Sequence, residues 1–183
     1  MILLLFVLVI VLLLLYVQSV RSINHKFEII QVDVSRLKPT LLDEKSPVLV
    51  YSKLVDARDL LKTTFKYKYI STYYDTSKSF INHVNVNKSK FLILHNKSND
   101  DIYIDVFHGK TNDAFKKIGY VFENKHFSVV KDTVLQESVF SDTQRIKLPS
   151  DMVLILPSKW AYHVPMNISP ETIVRIYMHD IIT

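Results

Sequence analysis

The chain has 183 residues, a net charge of +5 and 48% hydrophobic residues. It has no cysteine, which excludes disulfides and thiolate metal sites. The modest positive charge fits an anionic membrane surface, and no specific nucleic-acid partner is expected from it.

Residues 1–20, MILLLFVLVIVLLLLYVQSV, contain no charged side chain. Twenty helical residues cover about 30 Å, the thickness of the hydrocarbon core of a bilayer. We therefore predict a single transmembrane anchor. A cleaved signal peptide is the alternative, because Val17 and Ser19 are small enough to flank a cleavage site. Arg21 and Lys26 follow the apolar run, and this flanking charge predicts that the C-terminal part is cytosolic.

Three acceptor triplets for N-glycosylation would matter only if the C-terminal part were lumenal. They are Asn87-Lys88-Ser89, Asn96-Lys97-Ser98 and Asn167-Ile168-Ser169. In a chain this rich in Asn, Lys and Ser, such triplets also arise by chance.

Short strands are predicted along the rest of the chain. Residues 21–46 form a juxtamembrane stem that leads into a first strand, FEIIQVDV, and residues 47–183 form a β domain. PVLVYSKLVD is a further strand, Asp56–Thr63 a short helix, and FKYKYISTYY alternates with period two. Seven more segments are rich in Val, Ile, Tyr and Phe and end at turn residues: KFLILHN, DIYIDVFHG, KIGYVFEN, HFSVVKD, QRIKLP, MVLILP and TIVRIYMHDII. This spacing predicts a mainly β fold, a sandwich or a barrel.

The half of the chain from Phe91 onwards resembles the cupin-like JmjC superfamily of Fe(II)/2-oxoglutarate oxygenases. In that family a strand ends in His-x-Asp, and GDxxxIPxxWWHxV follows much later. Here LILHNKSNDDIYIDVFHGK and LPSDMVLILPSKWAYHV stand at those places. The resemblance implies a double-stranded β-helix, the cupin or jelly-roll fold. Similar proteins with Tyr at the last ligand position occur in large DNA viruses, which implies a viral protein in a viral or host internal membrane.

Laid on the family pattern, the three metal-ligand positions hold His95, Lys97 and Tyr162. Two His and one carboxylate would bind Fe(II) and leave positions open for 2-oxoglutarate and oxygen. An ammonium group has no lone pair to donate, so Lys97 is a poor ligand. His163 lies one residue beyond Tyr162, and in a strand that shift turns a side chain to the opposite face.

The co-substrate position and the cavity mouth differ from the family as well. His108 and Lys110 flank the glycine that a Lys usually precedes, and the turn Gly-Asp is Ser150-Asp151. Trp160 is expected at the cavity mouth, more as a core plug than as a substrate platform.

The resemblance therefore implies a membrane-anchored cupin-like protein that has lost its metal ligands and has a structural or interaction role. We predict no catalytic residue and no Fe(II) or 2-oxoglutarate cofactor. One alternative is an active Fe(II)/2-oxoglutarate hydroxylase that uses His95, Asp100 or Asp105, and His163. The other is an unrelated β-sandwich interaction module. The sequence predicts contact with a membrane through residues 1–20, and it does not identify a protein partner.

Overall fold

The computed structural model begins with one long helix, α1, over Ile2–Arg21. The side chains of α1 are described from Leu4 to Val17, and those of Leu4 to Tyr16 are exposed. In the described part of the chain, no helix is both long and apolar enough to cross a membrane. The transmembrane anchor therefore stays a prediction. The structure describes residues 2–21, 27–53, 56–57, 60, 70–75, 83–131, 143–165 and 169–180.

Strands dominate the described residues after α1. The strands are β1 (Ile30–Val32), β2 (Val48–Val50), β3 (Ile70–Asp75), β4 (Val84–Asn87), β5 (Phe91–Asn96), β6 (Ile102–Phe107), β7 (Tyr120–Glu123), β8 (Phe127–Val130), β9 (Thr143–Leu148), β10 (Val153–Pro157), β11 (Ala161–His163) and β12 (Ile173–Asp180). Short helices α2 (Pro39–Leu42) and α3 (Asn112–Ile118) join them, with single 3-10 turns at Val34–Arg36, Gly109–Thr111 and Pro170–Thr172.

The strands form two six-stranded sheets. The first sheet has the order β1-β2-β10-β5-β12-β3, and the second has the order β7-β8-β4-β11-β6-β9. The β1–β2 pair is parallel and the other pairs in these sheets are antiparallel. The prediction of a mainly β fold is confirmed, and the two sheets form a sandwich.

A single hydrophobic core fills the space between the sheets. Leu92, Leu94 and Leu154 of the first sheet pack there with Ile104 and Val106 of the second. Because side chains alternate along a strand, these residues define the inner face of each sheet.

The outer faces are covered too, which explains why a strand such as β5 is buried at every position. Three leucines that precede β3 in the chain cover the outer face of the first sheet at Ile93. They are Leu37, Leu42 and Leu60. Phe115 of α3 covers Val84, Val86 and Phe107 on the outer face of the second sheet.

The described part of the predicted stem, residues 27–46, belongs to this packing. Within the predicted stem of residues 21–46, β1 pairs with β2 and extends the first sheet. The predicted first strand is thus present, and from Ile30 onwards the segment is part of the sandwich. Most of the helix predicted over Asp56–Thr63, and the first half of FKYKYISTYY, lie outside the described residues.

Candidate functional site

Tyr162 points into the space between the sheets, and His163 points out of it. In the register of the second sheet, Tyr162 lies beside Asn85 of β4 and Val106 of β6. Tyr162 is fully buried in the inner core together with Trp160 and Val164. His163 is turned to the outer face, as the alternation of a strand requires. The side chain at the last ligand position of the family pattern is therefore a tyrosine.

A buried arginine faces the Tyr162 hydroxyl. Arg175 of β12 donates from Nη1 to the hydroxyl oxygens of Tyr162 and Tyr177, each at 3.4 Å. Its Nη2 lies 2.9 Å from Oδ2 of Asp75 on β3. The two tyrosine hydroxyls are 3.5 Å apart. We call Asp75, Tyr162, Arg175 and Tyr177 the arginine network.

The arginine network is neutral as a whole. Although burial opposes its charge, Tyr162, Tyr177 and Asp75 hold the pKa of Arg175 above its ordinary value. Burial and the neighbouring Tyr162 raise the pKa of Tyr177 well above its ordinary value, so that hydroxyl stays protonated. The guanidinium also lies over the ring of Phe127, with Cζ 5.6 Å from the ring centroid. The network thus provides hydrogen-bond donors and one ion pair, and its central group is a cation.

His95 lies on the other side of the first sheet. Its neighbours in register are Val153 of β10 and Val174 of β12, whose side chains belong to the outer layer. Burial, assisted by the charge of Lys97, lowers the pKa of His95 to about 4, so the imidazole is neutral at pH 7. Neither ring nitrogen makes a hydrogen bond of good geometry within the described residues. His95 is therefore a neutral side chain in an apolar layer, separated from Tyr162 by the sheet itself.

Lys97, the second predicted ligand position, follows the end of β5. Its backbone N–H donates to the carbonyl of Thr172 at 2.6 Å, and its side chain is half-buried. His95, Lys97 and Tyr162 consequently do not converge on one point.

His163 and Asp105 form a pair on the outer face of the second sheet. Nδ1 of His163 lies 3.3 Å from Oδ2 of Asp105, and Arg145 donates to the same carboxylate at 2.7 and 3.1 Å. Burial acts to raise the pKa of Asp105, but the hydrogen bonds from Arg145 and His163 outweigh it and lower this pKa. Asp100, the other candidate carboxylate, is exposed in the β5–β6 turn.

Trp160 and His108 pack together at one end of the core. The indole Nε1 of Trp160 donates to the carbonyl of Lys45 at 3.1 Å, and the side chain is fully buried. The His108 ring contacts it edge-on at 4.8 Å, and Nδ1 of His108 accepts from the backbone N–H of Lys110 at 3.1 Å. Trp160 thus has the position of a core residue with a satisfied polar atom, and the side chain of Lys110 is exposed.

The partners of Tyr162 were not predicted from the sequence. Arg175 stands at an inward position of TIVRIYMHDII between Ile173 and Tyr177, and a charge inside an apolar strand is a visible signal of a buried polar site. Asp75 carried no such signal, because it closes a strand in which polar and aromatic residues mix. A partly buried contact at 2.8 Å between Nδ1 of His126 and Nε2 of His179 was not predicted either.

Among the described residues, no three His, Asp or Glu side chains are grouped closely enough to hold a metal ion. Comparison with protein-family models gives no match for this chain, and comparison with curated proteins gives none either.

Proposed function

We propose that the β domain is a double-stranded β-helix of the jelly-roll type. Its strand order supports this. Apart from the insertion of α3, β7 and β8, the chain alternates between the sheets from β3 to β6 and again from β9 to β12, while β6 and β9 are neighbours in the second sheet. Four strands lie in the order β3-β12-β5-β10 opposite four in the order β4-β11-β6-β9. Eight antiparallel strands in two facing sheets are the arrangement of jelly rolls and cupins.

Within that fold, we propose that the domain has a structural or interaction role and binds neither Fe(II) nor 2-oxoglutarate. The observation that carries this proposal is the position of Arg175, whose Nη1 lies 3.4 Å from the Tyr162 hydroxyl. A metal ion held at the last ligand position would lie within a few ångströms of a guanidinium. Two like charges repel each other strongly in a poorly solvated interior. The ion pair with Asp75 gives that guanidinium a carboxylate already.

An active Fe(II)/2-oxoglutarate hydroxylase is less well supported by the positions of its proposed ligands. Its proposed carboxylate Asp105 and ligand His163 lie on the outer face of the second sheet, and its other ligand His95 lies on the outer face of the first. The inner core separates the two faces, so these three side chains do not approach one ion.

The apolar N-terminal residues support a further part of the proposal, namely that residues 1–20 anchor the domain in a membrane. Residues 4–16 present only apolar or aromatic side chains, and these are exposed in the structure. Alkaline carbonate extraction of cell membranes tests the anchor: the full chain should remain in the pellet. A chain that lacks residues 1–20 is the matched control and should appear in the supernatant.

Metal content tests the role of the β domain. The full chain, purified in mild detergent and incubated anaerobically with Fe(II) and 2-oxoglutarate, should retain no stoichiometric iron and show no shift of its unfolding temperature. An active 2-oxoglutarate oxygenase treated in parallel provides the positive control. Stoichiometric iron that disappears in His163→Ala or His95→Ala would contradict the proposal.

A further inference from the structure

Two of the acceptor triplets form similar turns, each with a buried asparagine, at the ends of consecutive strands. Asn87-Lys88-Ser89 closes β4, and Asn96-Lys97-Ser98 closes β5. The side chains of Asn87 and Asn96 are both fully buried. We call these two turns the asparagine clamps.

In the first clamp, the amide of Asn87 uses both of its hydrogens. Nδ2 donates to the carbonyls of Leu156 and Pro157 at 3.1 and 3.0 Å, which ties the end of β4 to the end of β10 in the opposite sheet. Oδ1 accepts from the backbone N–H and the hydroxyl of Ser89 at 3.0 and 2.6 Å.

The second clamp has the same hydrogen bonds to its serine, and its Nδ2 also donates to two backbone carbonyls. Nδ2 of Asn96 donates to the carbonyls of Asp100 and Leu148 at 2.8 and 2.9 Å. Its Oδ1 accepts from the backbone N–H and the hydroxyl of Ser98 at 2.9 and 2.6 Å. The Asn and Ser of each triplet are therefore explained completely by the turn that they build.

A glycan on either asparagine is incompatible with this fold. N-linked sugar replaces one hydrogen of Nδ2, and here Nδ2 of each asparagine donates to two backbone carbonyls, of which at least one is buried. The sugar is also bulky and hydrated, and it belongs on an exposed loop. Because N-glycans are added to the growing chain before the domain has folded, modification would leave a buried carbonyl without its donor and block the closure of the turn.

We infer that the β domain folds in a compartment without N-glycosylation, which in a eukaryotic cell is the cytosolic side of the membrane. The inference holds whether residues 1–20 form an anchor or another segment, and it disfavours a cleaved signal peptide that would deliver the domain to the lumen. The third triplet, at Asn167, lies outside the described residues.

Expression in a eukaryotic cell tests the inference. The full chain, extended after Thr183 by a tag that carries an exposed Asn-Gly-Thr acceptor, should show no mobility change on treatment with an endoglycosidase. An N-glycan on the tag, or on any asparagine of the chain, would overturn the inference.

A second form of the protein tests the physical reason. Residues 1–20 are replaced by a cleavable signal peptide, which directs the same tagged chain to the lumen. We expect glycans on the tag and on Asn87 or Asn96, together with rapid digestion by trypsin. An inhibitor of N-glycan synthesis should restore trypsin resistance without any change of sequence. A lumenal chain that carries sugar on Asn87 or Asn96 and still resists trypsin as well as the unmodified chain would overturn the argument.

Discussion

Arg175 and Asp75 form an ion pair of 2.9 Å between β12 and the edge strand β3 of the first sheet, and their side chains are only 0% and 6% exposed. A buried pair of this kind adds little to stability against an apolar pair of equal volume, because both charges lose their hydration. Removal of one partner is costly, because it leaves a buried charge without its counter-charge.

We therefore expect Asp75→Ala to lower the free energy of unfolding by about 3–5 kcal/mol. Urea unfolding in mild detergent, followed by the fluorescence of the single Trp160, measures this change. The exposed pair Lys147–Asp101, at 2.7 Å, is the matched control, and Asp101→Ala should leave the unfolding midpoint nearly unchanged. The double variant Asp75→Leu, Arg175→Met should recover much of the loss. Equal midpoints for Asp75→Ala and the unmodified chain would contradict the importance of the pair.

Tyr162→His places the histidine of the family pattern at the last ligand position. We expect no gain of iron binding, because Arg175 remains 3.4 Å from the position of the Tyr162 hydroxyl. Iron content after anaerobic incubation with Fe(II) is the measurement. Tyr162→Phe serves as the control for the lost hydroxyl and should cost about 1 kcal/mol of stability. Stoichiometric iron in Tyr162→His would mean that the interior accepts a cation.

His95 should make the protein sensitive to acid. Its folded-state pKa is about 4 against an ordinary value of 6.5, so the unfolded chain takes up the proton first. The stability that comes from a neutral His95 is complete above pH 6.5 and is lost as the pH falls towards 4. At about 1.4 kcal/mol for each pKa unit, this loss amounts to about 3 kcal/mol. Unfolding midpoints measured between pH 7 and pH 4 should fall for the unmodified chain and fall less for His95→Leu. If the midpoints of both proteins fell equally between pH 7 and pH 4, the low pKa of His95 would be contradicted.

Asn87→Ala should destabilise the fold, because the carbonyls of Leu156 and Pro157 lose their donor in a buried position. We expect a loss of about 1–3 kcal/mol. Asn99→Ala, in an exposed turn, is the control and should change stability by less than about 0.5 kcal/mol. Urea unfolding of both variants decides the matter, and similar midpoints would argue against the clamp.

The apolar strands could be predicted from the sequence, but two strands of the second sheet could not. β4 reads VNVN, and asparagine is rare in strands, so the pattern indicates a loop. Its asparagines face inwards, where Asn87 bonds across to β10, and this partner is seventy residues away in the sequence. β11 follows a turn and has only three residues, which are too few to show the alternation of a strand. Helix α3 has seven residues, of which only Phe115 is buried, so its sequence shows no apolar stripe with helical spacing.

The face to which His95 points could not be predicted for a related reason. In KFLILHN four apolar residues follow one another, because both faces of β5 are covered, and alternation then carries no information. The resemblance to the family implied that His95 points into the core, and the local sequence does not indicate either face. For Tyr162 and His163, by contrast, the alternation rule correctly gave opposite faces once the strand was known.

The entry of β1 into the first sheet sets a limit on where the domain can act. Helix α1 ends at Arg21 and β1 begins at Ile30. Even a fully extended chain of that length spans at most about 30 Å. Under the proposed anchoring, the edge of the sandwich formed by β1 therefore lies within about 30 Å of the end of the membrane segment, the reach of the fully extended linker. A soluble partner must come to the membrane surface to meet it, and two anchored copies can meet by diffusing in the plane of the membrane.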